Sequence, residues 1–371
     1  KDVCTINMGQ SPESSSYNEI GDGIPFFQGN ADFGERYPIT RVWCNKPTKV
    51  AKAEDILISV RAPIGAMNYA KEKCCIGRGV AALTPNEEKV SSEFIFWLLK
   101  GKNNELNQKG TGSTFKAIGR KVLEEIQVPE INLELQRKYA SNLERIYSII
   151  QDRQRQLEQL DKLVRARFVE MFGDENNSKN WNVVNVEDVA DVQVGVVIKP
   201  SQYYTDESEG VRAFRSLNIG AGFIKDIDWV YFTKEGHLKN SKSILKENDL
   251  LIVRSGAPGT ACVVTEEYAG CNAVDIIIAH PDCEKVNPYY LCTFTNMPHG
   301  KKQIDEGIGG AAQQHFNVGK YNKLQLMLPP KTLQDEFGDF INQVDKSKDS
   351  VKKALDEAQL LFDSLMQQYF G

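Results

Sequence analysis

The constraint that most limits how this chain can fold is that its 371 residues are written twice. Asp55-Ile-Leu-Ile-Ser-Val-Arg-Ala-Pro-Ile-Gly65 returns, loosely, as Asp249-Leu-Leu-Ile-Val-Arg-Ser-Gly-Ala-Pro-Gly259. The stretch 119–129 answers 319–329, Leu135-Gln136 answers Leu333-Gln334, and Phe172-Gly173 answers Phe370-Gly371. The offset drifts from about 186 near the start through 194 to 198–200, so a few insertions separate two copies of a whole module. Two copies give one chain an approximate two-fold, which suits it to two sites in a single partner. Trp181-Asn182-Val183-Val184 precedes the second copy, but nothing precedes Lys1-Asp2-Val3, so the numbered chain is expected to begin just inside the first copy.

Each copy divides into a mixed segment and a long helix. The mixed segment is rich in Gly, Pro, Ser and Asn between short β-type runs such as 56–60, 80–83, 250–253 and 274–279. One helical stretch sits in each, at 93–99 and 288–294, followed by a Gly-rich loop and a closing strand ending in Pro129 or Pro329-Pro330. The helix of the first copy is expected over 133–171, free of Pro and Gly. Leu143, Ile150, Leu157, Val164 and Met171 recur every seven, with Ile146 and Leu160 interleaved and Arg153 and Arg167 interrupting. In the second copy Phe337, Val344, Val351, Ala358 and Leu365 recur every seven, with Phe340, Ala354 and Leu361 interleaved. That is a coiled-coil period, and Gly173 and Gly371 are natural residues to end such helices. Connectivity then requires an antiparallel pair, each helix on the order of 57 Å long at 1.5 Å per residue. The expected fold class is α+β: two tandem, pseudo-two-fold-related α/β domains separated by two long helices in an antiparallel coiled coil. The expected boundaries are 1–132, 133–173, 174–332 and 333–371.

Composition narrows the functional classes. Hydrophobic residues at 41% and charged residues at 26% describe a globular rather than a disordered chain, and no apolar run approaches the ~20 residues of a membrane span. The start does not read as a signal peptide. The eight cysteines show neither a C-x-x-C pair nor zinc-like spacing, so they read as reduced core residues of a cytoplasmic protein. A net charge of −5 argues against non-specific nucleic-acid binding but leaves room for a reader whose cations gather on one face. No phosphate-binding P-loop, G-x-S-x-G or H-E-x-x-H is present, and the four histidines, His237, His280, His299 and His315, do not cluster in sequence. Asn287-Pro288-Tyr289-Tyr290 is near the Asn-Pro-Pro-Tyr motif of amino-methyltransferases, but it lacks the second Pro and opens an expected helix, where Asn as cap and Pro in the first turn account for it. Asp55 and Asp249 read as turn or cap residues.

The candidate recognition residues lie in polar loops. Gln10, Ser11, Ser14 and Tyr17 come from a hydroxyl-dense segment, and Gln28 stands between aromatics and glycine. A Gln amide can read adenine bidentately, and hydroxyls reach phosphates or base edges. Arg61 and Arg78 stand beside Pro or Gly, where backbone can approach a ligand closely. Ser113, Thr114 and Lys116 belong to Gly110-Thr-Gly-Ser-Thr-Phe-Lys116, a plausible phosphate cradle. In the second copy the candidates are Lys199, Tyr203, Arg215, the turn Arg254-Ser255, and Gln313, Gln314 and His315. Each loop taken alone reads as an ordinary surface loop; jointly, a framework that repeats while its loops diverge fits two modules that recognise different sequences.

On these residues the chain resembles the specificity (S) subunit of type I restriction–modification systems. The resemblance rests on Gly9-Gln-Ser-Pro12, Pro25-Phe-Phe-Gln-Gly29, Asp55 to Gly65, Ile76-Gly-Arg-Gly79, Gly110-Thr-Gly-Ser-Thr114, and Gln136 leading into the helix that ends Met171-Phe-Gly173. The second copy matches through Asp249 to Gly259, Leu328-Pro-Pro330, Leu333-Gln334 and Tyr369-Phe-Gly371, and departs from the pattern in having no Gly-Ser-Thr in its late loop. The resemblance implies that each target-recognition domain reads one half of a bipartite, asymmetric double-stranded DNA site. It implies that the helices set the spacing and dock two modification subunits, which bring S-adenosylmethionine and methylate a flipped adenine. Restriction subunits with ATP and Mg can join; this chain itself would carry no cofactor, metal or catalytic residue and no membrane contact. Two readings stay open beside it: the specificity subunit of a type II system with a fused nuclease–methylase, and a coiled-coil adaptor that binds proteins and not DNA.

Overall fold

The computed structural model describes residues 2–112, 116–308 and 316–371. The chain forms two compact units, Lys1–Gln154 with Lys352–Gly371, and Arg155–Val351. Two continuous helices of 40 residues, Leu133–Phe172 and Lys331–Phe370, each contribute one part to either unit.

Unit 1 is built on two small sheets. Cys4–Met8, Val80–Pro85, Ile56–Ser59 and Met67–Tyr69 lie side by side in that order, all antiparallel. The second sheet has the order Tyr17–Asn18, Trp43–Cys44, Ile24–Phe27, Cys74–Ile76 and Val50–Ala51, with one parallel pair that places Phe27 beside Ile76. Ile56–Ser59 and Cys74–Ile76 are buried along their whole length, which explains why both read as unbroken apolar runs and not as alternating strands. Unit 2 repeats the plan: Ala190–Val194, Ile276–Pro281, Leu250–Val253 and Ala261–Val263 form one sheet, and Tyr204–Thr205, Val230–Phe232, Val211–Phe214 and Asn272–Ala273 the other, again with one parallel pair. The strand that closes the second copy, Gln325–Leu328, is held by Asn182–Asn185. Its expected counterpart ending at Pro129 is irregular, and among the described residues no strand pairs with 125–132.

Two buried side chains explain why particular dipeptides recur. Gln136, at 2% exposure, accepts the Ser91 N–H at 2.9 Å and donates to the carbonyls of Ile131 at 2.8 Å and Lys89 at 3.4 Å. Gln334, at 0%, accepts the Asn287 N–H at 2.9 Å and donates to Pro329 at 2.8 Å and Lys285 at 3.4 Å. In each copy the amide ties the start of the long helix to the residue that caps the domain helix, Ser92–Gly101 or Pro288–Asn296. Likewise Asp55 accepts from the Lys52 N–H and the Thr84 hydroxyl, each at 2.7 Å, and Asp249 accepts from the Lys246 N–H at 2.7 Å and from His280 at 2.5 Å. Both acids are buried turn residues, as the sequence suggested.

The repeated Phe-Gly has a similar origin. In unit 2 the end of the first long helix lies on the domain helix, with Phe172 4.6 Å from Tyr290, and Gly173 ends the helix at φ +89. In unit 1 the end of the second long helix does the same, with Phe370 5.2 Å from Phe94. Each domain helix is therefore covered by the helix that ends the other copy. A buried phenyl of this kind contributes about 1.5–3 kcal/mol.

Within each unit the two helices run antiparallel. In unit 1 Tyr139 stacks on Tyr369 at 3.7 Å, and Tyr147 lies 6.0 Å from Phe362. In unit 2 Phe172 meets Phe337 at 5.3 Å, and Asp161 pairs with Lys348 at 2.6 Å. The interleaved row of the second helix needs correction at Leu361, while Phe340 packs against the core as expected. Phe337, Val344, Val351, Ala358 and Leu365 face inward, but Leu361 is 51% exposed while Phe362 is 8% exposed. Ile341, Leu355 and Phe362 carry the second row. The cause is that each helix packs against a domain as well as its partner, which widens and turns the apolar face; Phe362 lies 5.6 Å from Trp97 of the domain helix.

Candidate nucleic-acid interface

In unit 1 the candidates converge where strands of the two sheets end together. Gly9 follows Cys4–Met8, and its N–H donates to Val80 at 2.9 Å; the next N–H, of Gln10, donates to Ile76 at 3.0 Å. A Cβ on Gly9 would lie 2.1 Å from the Gly77 carbonyl oxygen, so only glycine admits this approach. A Cβ on Gly79 would likewise lie 2.2 Å from the Gln28 carbonyl oxygen. These contacts set the Gln10, Gln28 and Arg78 segments side by side. Ser11 Oγ accepts the Arg78 N–H at 3.3 Å, and Thr48 Oγ1 donates to the Gln10 carbonyl at 2.6 Å. The Val60 N–H donates to Gly79 at 2.9 Å, and Arg61 bridges to Ala117 next to Lys116.

The resulting rim carries Gln10, Ser11, Gln28, Arg61, Arg78 and Lys116, all exposed except the half-buried Ser11. Tyr17 lies just behind it, its hydroxyl donating to Pro12 at 2.8 Å and its ring 4.6 Å from Phe26. Burial holds the Tyr17 phenol above its usual pKa, opposed by a hydrogen bond with Ser11 and by the Arg78 cation. Ser14 is exposed at the start of a short 3-10 turn. Ser113 and Thr114 lie outside the described residues. Among those described, no carboxylate forms an ion pair with Arg61, Arg78 or Lys116. Three cations beside two amides and hydroxyls suit phosphate contact together with hydrogen bonding to base edges.

Unit 2 has the same backbone at this place but different chemistry. Gly195 takes the position of Gly9, its N–H donating to Ile276 at 2.9 Å, with no room for a Cβ against the Ala273 carbonyl. The arginines are held internally: Arg215 pairs with Asp228 at 3.0 Å, and Arg254, its side chain 16% exposed, pairs with Asp275 and donates to the Phe316 carbonyl. The backbone keeps the residue-by-residue match of 55–65 with 249–259. The Ile118 N–H bonds the Val60 carbonyl as the Phe316 N–H bonds that of Arg254, so Arg254 stands where Val60 stands, and half-buried Ser255 where Arg61 stands. Lys199 is exposed in a left-handed conformation at φ +44, and half-buried Tyr203 lies under Lys239. Gln313, Gln314 and His315 lie outside the described residues. The acids that take up Arg215 and Arg254 lie 13 and 21 residues away, a separation that no local pattern signals.

The remaining polar residues have structural roles. Gln193 donates to His280 Nε2 at 2.7 Å, leaving Nδ1–H to donate to Asp249. Because Thr84 does the same for Asp55 in the other copy, this pair is part of the scaffold. The Asn287 side chain accepts from Tyr289 and Tyr290 N–H groups and donates to Asp335 at 2.9 Å, and the Tyr290 hydroxyl donates to Met327 at 2.6 Å. Burial drives the Tyr290 phenol pKa far up. That tetrapeptide is a helix cap facing the core.

Comparison with known proteins follows the same division. The family model described as the type I restriction modification DNA specificity domain matches residues 1–160 and 178–359. Over 157 residues the chain is 48% identical to a protein assigned to the MjaX type I restriction enzyme of Methanocaldococcus jannaschii as its specificity subunit, a match covering 42% of this chain and 37% of that protein. It is 19% identical over 395 residues to the EcoBI type I restriction enzyme specificity subunit of Escherichia coli, covering 98% of this chain and 82% of the relative. The crystal structure of a type I restriction-modification S subunit from M. genitalium superposes with a TM-score of 0.66 at 16% identity, over 100% of this chain and 94% of that one. Among the described residues no helix is long and apolar enough to cross a membrane.

Proposed function

The chain belongs to the type I restriction modification DNA specificity family, and from that premise we propose that its two units each read one half of a bipartite, asymmetric DNA site. The observation that carries this reading is a duplicated scaffold with an unduplicated rim. The buried clamps Gln136 and Gln334 make the same bonds at the same lengths, while Gln10, Ser11 and Gln28 give way to Val196, Val197 and Arg215. The clamp is kept where the rim is replaced, as expected of two readers built on one scaffold.

The two long helices set the distance between half-sites and dock two modification subunits. Support comes from their length, 40 residues each, and from the apolar side chains they leave in solvent, Ile149, Leu163, Val169, Leu360 and Leu361. Such exposure on helices whose seam is already filled is what a protein interface requires. The modification subunits bring S-adenosylmethionine and methylate an adenine in each half; restriction subunits, with ATP and Mg, join the same assembly. This chain selects the site and performs no chemistry.

Single-molecule methylation profiling of genomes with and without this gene tests the proposal. One bipartite adenine motif should vanish when the gene is deleted; an unchanged set of methylated motifs refutes it.

A further inference from the structure

The first reading loop of unit 2 presents hydrocarbon where that of unit 1 presents an amide and a hydroxyl. The Val196 N–H donates to Ala273 at 2.8 Å, as Gln10 does to Ile76, so Val197 stands in the place of Ser11 and Ile198 in that of Pro12. Val197 is 46% exposed and Ile198 80%, with Val194 at 38% just before them. One exposed aliphatic residue is ordinary, but three within five positions at a recognition rim call for a function.

The loop is braced on both sides. Val196 is bonded again through its carbonyl to the Asp275 N–H at 3.1 Å and packs among Ala213, Phe232 and Val274. On the far side the Gln202 side chain donates to the Ile198 carbonyl at 3.4 Å, and its N–H donates to Lys199 at 3.1 Å. The two side chains are thus held outward by backbone bonds. With Arg215 and Arg254 taken up by Asp228 and Asp275, positions 197 and 198 offer apolar contact, beside the exposed cation of Lys199.

In the major groove the one apolar group that identifies a base is the C5-methyl of thymine. Resting on the DNA-reading function proposed above, we propose that Val197 and Ile198 recognise thymine methyl groups in the half-site served by unit 2. The half-site read by unit 1 is then discriminated mainly by hydrogen bonds.

The test uses the chain assembled with its modification subunits and duplexes carrying the methylated motif, with each thymine replaced in turn by deoxyuridine. Replacement removes one methyl and nothing else. Binding should weaken about fourfold, the worth of one buried methyl-sized group, at one or more positions of a single half. Ile198→Ala or Val197→Ala should bind thymine and uracil duplexes equally there, leaving uracil effects in the other half untouched. Both side chains are exposed, so truncation leaves the fold intact. Sequence-specific binding that is blind to every uracil, or uracil effects that persist in both variants, overturns this inference and leaves the reading of DNA standing. Ile198-dependent unstacking, seen as 2-aminopurine fluorescence with no methyl effect, also overturns it, in favour of a wedge between bases. Absence of any sequence-specific binding overturns the DNA-reading proposal itself.

Discussion

Replacing Gln334 by Met tests the duplicated clamp with little change in volume. Gln334 is wholly buried and satisfies the Asn287 N–H at 2.9 Å and the Pro329 carbonyl at 2.8 Å, with a longer contact to Lys285 at 3.4 Å. The thioether cannot replace the amide, so two backbone groups lose their partner. At about 1–3 kcal/mol for each buried group left unsatisfied, less the amide desolvation no longer incurred, the cost is about 2–4 kcal/mol. That is roughly a 30- to 700-fold change in an opening equilibrium. Hydrogen exchange read by mass spectrometry resolves the location: amides of Pro288–Asn296 should lose protection by that factor, and those of Ser92–Gly101 should not change. Gln136→Met should give the mirror result. A change below about threefold in the clamped helix, or equal loss in both units from either substitution, would refute the claim that each glutamine secures its own domain.

Three further outcomes are expected. Arg78→Ala and Lys116→Ala should each weaken DNA binding and reduce the salt slope of log K by about 0.9 per phosphate contact removed, with loss of reading confined to one half-site; salt titration of binding checks this. Inserting one heptad at matched levels in both long helices adds about 10.5 Å, or about three base pairs of spacer, with the half-site letters unchanged; methylation profiling reads the new spacing. Burial lowers the pKa of His299, whose Nε2 is buried without a hydrogen-bond partner. The unfolded chain therefore binds the extra proton first as pH drops through about 6.5, so stability should fall below that pH, and His299→Phe should flatten the dependence in urea unfolding of unit 2.

Much of the fold was legible because it rests on patterns of short period or exact repetition. The seven-residue series from Leu143 and from Phe337 marked two long helices, and the repeated Leu-Gln and Phe-Gly marked the two ends of a shared clamp. The interleaved row was legible only in part: Phe340 packs as expected, but Phe362 and Leu361 are adjacent apolar residues, and which one turns inward depends on Trp97, 265 positions before Phe362. The rim was legible in part. Gly9 and Gly79 carried their signal, since close backbone approach demands glycine, and Gln10, Gln28 and Arg78 stand beside them. The pairing of Arg215 with Asp228 and of Arg254 with Asp275 was not.

By itself the sequence determined that this chain is two copies of one module, that each copy ends in a long helix, and that the copies differ in their loops. Those are properties of residue order, periodicity and comparison within the chain, and they need no third dimension. Only the tertiary structure decided which loops share a rim, which arginines remain unpaired in solvent, and which are neutralised by an acid from another strand or turn. Charge and hydrogen-bonding capacity become available to a partner only when nothing within the fold has taken them up. That depends on distances between residues far apart in sequence, so Arg215 and Arg254, which read as contacts in the sequence, are braces in the fold.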